Sequence, residues 1–143
     1  MDKTAAELIE IVLASFEAEK AGDIQAGKNL IDDDFKKVSM VVSGDKIFPT
    51  LSGDEVDAAL QRAYQVKGRE FHVWNTAANV KTQTVFIELA EVEPGKDEHD
   101  RIWPYVLVCQ IKDGKIWRSR HYGDPATLKR NLSVEQIEKI VAG

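Results

Sequence analysis

The chain has 143 residues, of which 43% are apolar and 30% are charged, a composition typical of a folded domain rather than a disordered protein. Its net charge of −5 and pI near 5.2 argue against binding to nucleic-acid phosphates, and its basic runs, at most two residues long, would hold an anionic membrane only weakly. We therefore expect one domain over residues 1–143, with neither nucleic acid nor a membrane among its partners.

The N-terminal third of the sequence predicts two helices. Apolar residues recur at helical spacing from Thr4 to Ala21, and Thr4 with Glu7 has the spacing of a capping box. Gly22 is expected to end this helix, and Asp23 to cap a second one. The second helix is predicted from Ile24 to about Ile31, before a break at Asp32–Asp34.

The rest of the chain is predicted to be mostly strands. A third helix, capped by Ser52 or Asp54, interrupts them, and a final helix begins with Ser133 and Gln136 at capping-box spacing. Asp113-Gly114 is a strong tight-turn signal between the last two strands. In chain order the elements between the second and the final helix are a strand, a helix and four strands: Phe35–Val42, Glu55–Val66, Phe71–Val80, Thr82–Val92, Ile102–Ile111 and Lys115–Tyr122. Helices followed by a run of antiparallel strands predict an α+β fold, with the helices on one face of a curved sheet.

The single cysteine and the three histidines indicate neither a disulfide nor a metal site. A lone Cys109 cannot form an intramolecular disulfide, which favours a reducing compartment, and the strand-like run YVLVCQI predicts a buried structural thiol rather than a nucleophile. The histidines lack zinc-binding spacing, so we expect no metal and no other cofactor. The acidic N-terminus does not read as a signal peptide, and no apolar run approaches the roughly 20 residues of a membrane span. A cytoplasmic protein is predicted.

Three stretches, taken in order, carry a resemblance to a known superfamily. They are AGDIQAGKNLIDDDF (21–35), LSGDEVDAAL (51–60) and IKDGKIWRSRHYGDPATL (111–128). Together they resemble the nuclear transport factor 2-like superfamily, and within it the SnoaL-like branch. The resemblance implies a cone-shaped α+β barrel, in which three N-terminal helices pack in a curved antiparallel or mixed sheet. It also implies a mostly apolar pocket for a small molecule and pairing into a homodimer through the outer face of the sheet.

The same resemblance assigns faces and candidate site residues. Strand alternation puts Trp117, Ser119 and His121 on one side of the last strand, and the resemblance implies that this side faces the pocket. His121 would then act as general base, with Glu88 as its orienting or acidic partner. The expected pocket residues are Trp103, Tyr105, Trp117, Phe86, Ser39, Ser119, Lys37 and Leu128. In the first strand, Val38, Met40 and Val42 have the pattern of a buried face. The sequence therefore leaves open whether they, rather than Lys37 and Ser39, face the pocket.

The opposite face of the sheet is the expected dimer surface. It carries an aromatic and arginine-rich set of a kind found at interface centres: Arg118, Arg120, Tyr122, Val106 and Val108. Two roles are possible for Asp124, which precedes Pro125. It is either a structural cap of the turn that follows or an acid/base residue such as SnoaL-like cyclases take from this region.

The catalytic sets of the better-known relatives do not match this sequence. Ser39 and Ser15 stand where a ketosteroid isomerase would place its aspartate base and a tyrosine. Phe86, Glu88 and His121 stand where a limonene-type epoxide hydrolase would place an Asp-Arg-Asp set. Two hypotheses therefore remain: an isomerase, cyclase or hydrolase acting on an apolar ring compound, or a non-catalytic ligand-binding or dimeric interaction module of the same fold.

Overall fold

The computed structural model describes residues 2–39, 42–43, 46–47, 51–95, 101–123 and 132–143. The first helix, α1, spans Ala5–Ala21, and the predicted capping box of Thr4 and Glu7 is formed. Gly22 ends α1 in the left-handed conformation, with a φ of 70°, which a residue without a Cβ adopts without strain. The Asp23 side chain accepts a hydrogen bond from the Ala26 amide at the start of α2, which spans Ile24–Asn29. The predicted caps are therefore confirmed, whereas α2 ends two residues before the predicted Ile31.

Two further helices follow later in the chain. Helix α3 spans Asp54–Tyr64 and α4 spans Val134–Ala142. The predicted capping box of Ser133 and Gln136 is formed, whereas the predicted cap of α3 is wrong because Gly53 occupies the N-cap position without a side-chain hydrogen bond. Asp54 instead lies in the first turn of α3, where the helix dipole favours negative charge. Within the described segments, every helix is too short or too polar to span a bilayer.

Six strands form the main sheet, in the order β4-β1-β8-β7-β6-β5. The sheet is mixed, since β1 runs parallel to β8 while the other neighbours are antiparallel. A separate two-stranded sheet joins β2 and β3. The strands are β1 Ile31–Ser39, β2 Val42–Ser43, β3 Lys46–Ile47, β4 Leu51–Ser52, β5 Glu70–Asn79, β6 Thr84–Glu93, β7 Arg101–Lys112 and β8 Lys115–Gly123. The predicted α+β class is confirmed.

The acidic run Asp32–Asp34 lies within β1 rather than breaking the chain before it. The pairing of β1 with β8 shifts register between Ile31 and Lys36, so the three aspartates occupy the irregular part of the strand. Asp34 Oδ2 lies 3.2 Å from Arg118 Nη2, and hydrogen bonding to Arg118 lowers the pKa of that carboxyl group. The predicted break is therefore a bulged strand anchored by an ion pair.

The core lies between α1 and one face of the sheet. Leu8, Val12 and Phe16 face the sheet from α1, and the Phe16 ring stacks on Phe71 with 4.6 Å between ring centroids. The strands contribute alternate residues, which point to the same face because of the period of two along a strand. These buried strand residues are Val85, Ile87, Leu89, Tyr105, Leu107, Cys109, Ile111 and Ile116.

A bulge near the start of β8 changes which residues face the helices. Ile116 pairs with Ile111 and Arg118 with Gln110, so β8 has one extra residue, Trp117, at this point. Ile116 is consequently buried in the core. The predicted facing of Trp117 is wrong, because simple alternation does not continue through the bulge.

Candidate functional site

A cavity of about 400 Å³ lies between the helices and the inner face of the sheet, a size suited to a small organic ligand. Its wall is largely apolar and aromatic, with a group of charged side chains. Tyr64 reaches the cavity across α2, where a Cβ at Gly27 would lie only 1.8 Å from the Tyr64 hydroxyl oxygen. The lining residues used below are Phe16, Glu19, Tyr64, Arg69, Glu91, Glu93, Trp103, Tyr105, Leu107, Ser119 and His121.

Three rings meet in one part of the wall. The His121 ring lies 5.1 Å from the Tyr105 ring and 6.1 Å from the Trp103 ring, measured between centroids, and is almost parallel to the latter. Trp103 and Tyr105 are 4.5 Å apart. His121 is buried, with only 8% of its surface exposed. The imidazole therefore lies buried among aromatic groups in the cavity wall.

A charged cluster centred on Arg69 forms another part of the wall. Arg69 is only 7% exposed, and its Nη1 donates to Glu19 Oε1. Arg69 Nε lies 3.3 Å from Glu91 Oε1, and Nη2 lies 3.5 Å from Glu93 Oε1. The Tyr105 hydroxyl donates to Glu91 Oε2 at 2.9 Å, which connects the cluster to the three rings. One guanidinium thus holds three carboxylates from α1 and β6.

The electrostatic environment keeps both cavity tyrosines protonated. Burial raises the pKa of Tyr105 well above its ordinary value, and the charge of Glu91 and its hydrogen bond raise it further. Burial, together with the charges of Glu19 and Asp23, raises the pKa of Tyr64 to about 12. For Arg69, burial works to lower the pKa, but the carboxylates of the cluster outweigh it and raise the pKa.

These shifts predict a loss of stability in alkali. A tyrosine whose pKa is higher in the folded than in the unfolded state favours folding below the unfolded value of about 10, and this contribution disappears as the pH rises through the folded value. We therefore expect the free energy of unfolding to fall between about pH 10 and 12, and Tyr64→Phe to reduce that slope. Urea unfolding at several pH values measures how steeply the free energy of unfolding falls with pH in the wild type and in the variant. A slope that Tyr64→Phe leaves unchanged would contradict the assignment to Tyr64.

Cys109 also lines the cavity but is not set up as a nucleophile. Burial raises the pKa of its thiol to about 12, so the reactive thiolate is scarce at neutral pH. The sequence-based interpretation of a structural thiol agrees with this placement. Across the described residues, no group of three or more His, Cys, Asp and Glu side chains is arranged to hold a metal ion.

Four of the predicted pocket residues line the cavity: His121, Ser119, Trp103 and Tyr105. Trp117 is not among the described lining residues, since Ile116 takes that position at the bulge. The Trp117 ring is covered instead by the Arg118 guanidinium, whose Cζ lies 3.8 Å from the ring centroid. The predictions for the Lys37 and Ser39 side chains, Leu128 and Asp124 lie outside what the structure describes.

The predicted facing of Phe86 and Glu88 is wrong. In the ladder Glu88 pairs with Val106, and Phe86 with Val108, so both lie on the sheet face away from the helices. Directly paired residues of an antiparallel sheet point to the same face, and Ile87 is the residue that pairs with Leu107 on the His121 side. Phe86 is accordingly 41% exposed, and Glu88 accepts a hydrogen bond from Asn75. Glu88 is therefore not the partner of His121.

The Arg69 cluster was missed by the sequence-based prediction, although one signal for it is present. Val85, Ile87 and Leu89 alternate as the buried face of β6, and continuing the alternation puts Glu91 and Glu93 on that same face. Two acidic residues that continue an apolar face indicate a polar site inside the fold. No comparable signal marks Glu19 or Arg69, which are 50 residues apart in the sequence.

Comparison with known proteins supports the fold and gives no activity. No protein-family model and no curated protein sequence matches the chain significantly. Among solved structures, it is similar to a limonene epoxide hydrolase-like enzyme of Mycobacterium tuberculosis, with a TM-score of 0.70 and 19% identity over 96% of this chain and 97% of that one. A protein from Jannaschia sp. assigned as a SnoaL-like polyketide cyclase gives 0.70 and 14% identity, with 94% and 98% covered. A nuclear transport factor 2-like protein from Burkholderia xenovorans gives 0.66 and 18% identity, with 91% and 98% covered. The chain therefore has the nuclear transport factor 2-like fold, the fold that its sequence resembles.

Proposed function

We propose that this protein binds a small apolar ring compound in the cavity and acts on it with His121 as general base. The observation that carries the proposal is the position of His121 in the wall of an apolar cavity of about 400 Å³. An imidazole changes charge near neutral pH, and mostly apolar surroundings strengthen its electrostatic interactions with a reacting group. Isomerisation, cyclisation and hydrolysis are the reactions that such a base supports.

Tyr105 replaces Glu88 in this proposal as the neighbour that positions the reaction. Its ring packs against His121, and its hydroxyl donates to Glu91, which fixes the phenol oxygen in the wall. Because the pKa of Tyr105 is well above its ordinary value, the phenol stays neutral over the range in which an imidazole titrates. His121 is then the group in this part of the wall that has the chemistry of a general base.

The test is turnover of a panel of ring epoxides and ring ketones. We expect at least one compound to be consumed, and His121→Gln to lower kcat by about 10²–10⁴-fold, the usual contribution of general acid–base catalysis. Glu88→Gln on the outer face is the matched control, and its kcat should equal that of the wild type. An unchanged kcat in His121→Gln would remove His121 from the reaction.

A non-catalytic binding module is the second candidate. The observation in its favour is that the cavity tyrosines and Cys109 are held in their neutral forms by burial and charge, which leaves few reactive groups. In that case compounds of the panel bind, as measured by tryptophan fluorescence, but none is consumed. Binding in His121→Gln would then stay close to that of the wild type.

We also propose that the protein forms a homodimer through the outer face of the sheet. Phe86 and Tyr122 are 41% and 40% exposed there, and Arg120 lies on the same face, paired with Val108. Exposed aromatic side chains beside a half-buried arginine are typical of interface centres. Light scattering should give twice the chain mass, and Phe86→Glu should shift the protein to monomer. A monomeric wild type at working concentration contradicts the proposal.

A further inference from the structure

The charged end of the cavity presents mainly hydrogen-bond acceptors, although the buried Arg69 Nε, 3.3 Å from Glu91 Oε1, forms no hydrogen bond within the described structure. The Tyr105 hydroxyl proton is already donated to Glu91, so its phenol oxygen offers only lone pairs to a ligand. The Arg69 guanidinium is directed at Glu19, Glu91 and Glu93. A ligand group that enters this end therefore meets carboxylate and phenol oxygens, to which hydrogen-bond donors are complementary.

Among the described side chains at this end of the cavity, negative charge exceeds positive charge. Three carboxylates surround Arg69, which is the buried cation of the described lining; Arg62 also lines the cavity, but it is exposed and its charge is screened by solvent. Glu91 and Glu93 have side chains only 19% and 32% exposed. Removing a carboxylate from water raises the free energy of the folded state unless its charge is fully compensated. A second cation would offset that free-energy cost.

Glu93 is the carboxylate best placed to receive that cation. Its side chain is 32% exposed, and within the described part of the chain its one ion-pair contact is the long one to Arg69 Nη2. The aromatic wall of Trp103 and Tyr105 borders the same cavity. Aromatic faces attract cations as well as apolar rings, so both parts of an aryl or cyclic amine find suitable surroundings.

We propose that the cavity binds a small molecule with a protonated amine at one end and an apolar ring at the other. The amine lies against Glu93 and the Tyr105 oxygen, and the ring lies against Phe16, Leu107 and Trp103. This rests on the proposed function and narrows its ligand class from apolar ring compounds to ring compounds that carry a cationic nitrogen.

The test compares two probes of similar size, benzylamine and benzyl alcohol, by isothermal titration calorimetry at pH 7. Benzylamine should bind at least tenfold more tightly. In Glu93→Gln this preference should fall severalfold towards unity, whereas in Glu88→Gln, whose carboxylate lies on the outer face of the same strand, it should remain. The comparison on the wild type stands even if Glu93→Gln fails to fold.

Repeating the titrations at high salt distinguishes binding at a specific site from general attraction of a cation to an acidic protein. In 1 M sodium chloride the Debye length is about 3 Å, so attraction to surface charge disappears, whereas a half-buried ion pair persists. A preference that vanishes in salt, or that Glu88→Gln reduces as much as Glu93→Gln, overturns the inference. So does benzyl alcohol binding as tightly as benzylamine, an outcome that leaves the proposed function intact. If neither probe binds, the inference is wrong, and the epoxide and ketone panel decides the proposed function separately.

Discussion

Replacing Arg69 with methionine is expected to lower the free energy of unfolding by about 3–5 kcal/mol, the usual cost of removing one partner from a buried ion pair. Arg69 is 7% exposed and faces Glu19, Glu91 and Glu93, so the variant leaves three carboxylates around an apolar side chain. Urea unfolding at pH 7 measures the change. The deficit should shrink towards about pH 4, where glutamates begin to take up protons and the uncompensated charge is lost.

Lys139→Met is the matched control for this prediction. Lys139 pairs with Glu135 on α4 at 3.0 Å, but both side chains are more than 70% exposed. Exposed pairs of this kind contribute little, and the change should stay within about 0.5 kcal/mol. If Arg69→Met cost no more than Lys139→Met, the carboxylates of the cluster would have to be hydrated rather than held by Arg69.

Alanine substitutions at two neighbouring positions of β6 should differ sharply in cost. Ile87 is fully buried against the helices, and Ile87→Ala should lower the free energy of unfolding by about 2–5 kcal/mol through lost burial and the cavity left behind. Phe86 is the larger side chain but is 41% exposed on the outer face, so Phe86→Ala should cost clearly less. Urea unfolding at low protein concentration, where a dimer contributes least, compares the two.

These two substitutions also test directly which side chains of β6 point towards the cavity. If Phe86 and Glu88 faced the cavity, as the resemblance implied, Phe86→Ala would be the costly substitution and Ile87→Ala the mild one. Because Ile87 pairs with Leu107, and Leu107 with His121, the structure requires Ile87→Ala to be the costlier substitution. A larger cost at Phe86 would therefore also remove the basis for excluding Glu88 from the site.

Features that depend on a few consecutive residues could be predicted from the sequence. The capping boxes at Thr4 and Ser133, the Asp23 cap and the left-handed Gly22 follow from side chains that bond to nearby backbone groups. The turn at Asp113-Gly114 has positive φ at both residues, as the Asp-Gly pair predicts. The order of helices and strands was sufficient for the α+β class, whereas the fold itself was expected from the resemblance of three stretches to a known superfamily.

The sequence by itself determined the caps of α1, α2 and α4 and the turn at Asp113-Gly114, because caps and turns depend on hydrogen bonds between nearby residues. Only the tertiary structure decided which side chains face the cavity. One extra residue at Trp117 reverses the alternation along β8, and the register between β6 and β7 turns Glu88 outward and Glu91 inward. The pairing of Arg69 with Glu19 likewise joins positions 50 residues apart, and no local pattern encodes such a contact. Strand register and burial are set by packing of the whole chain, which is why the site emerged only from the folded structure.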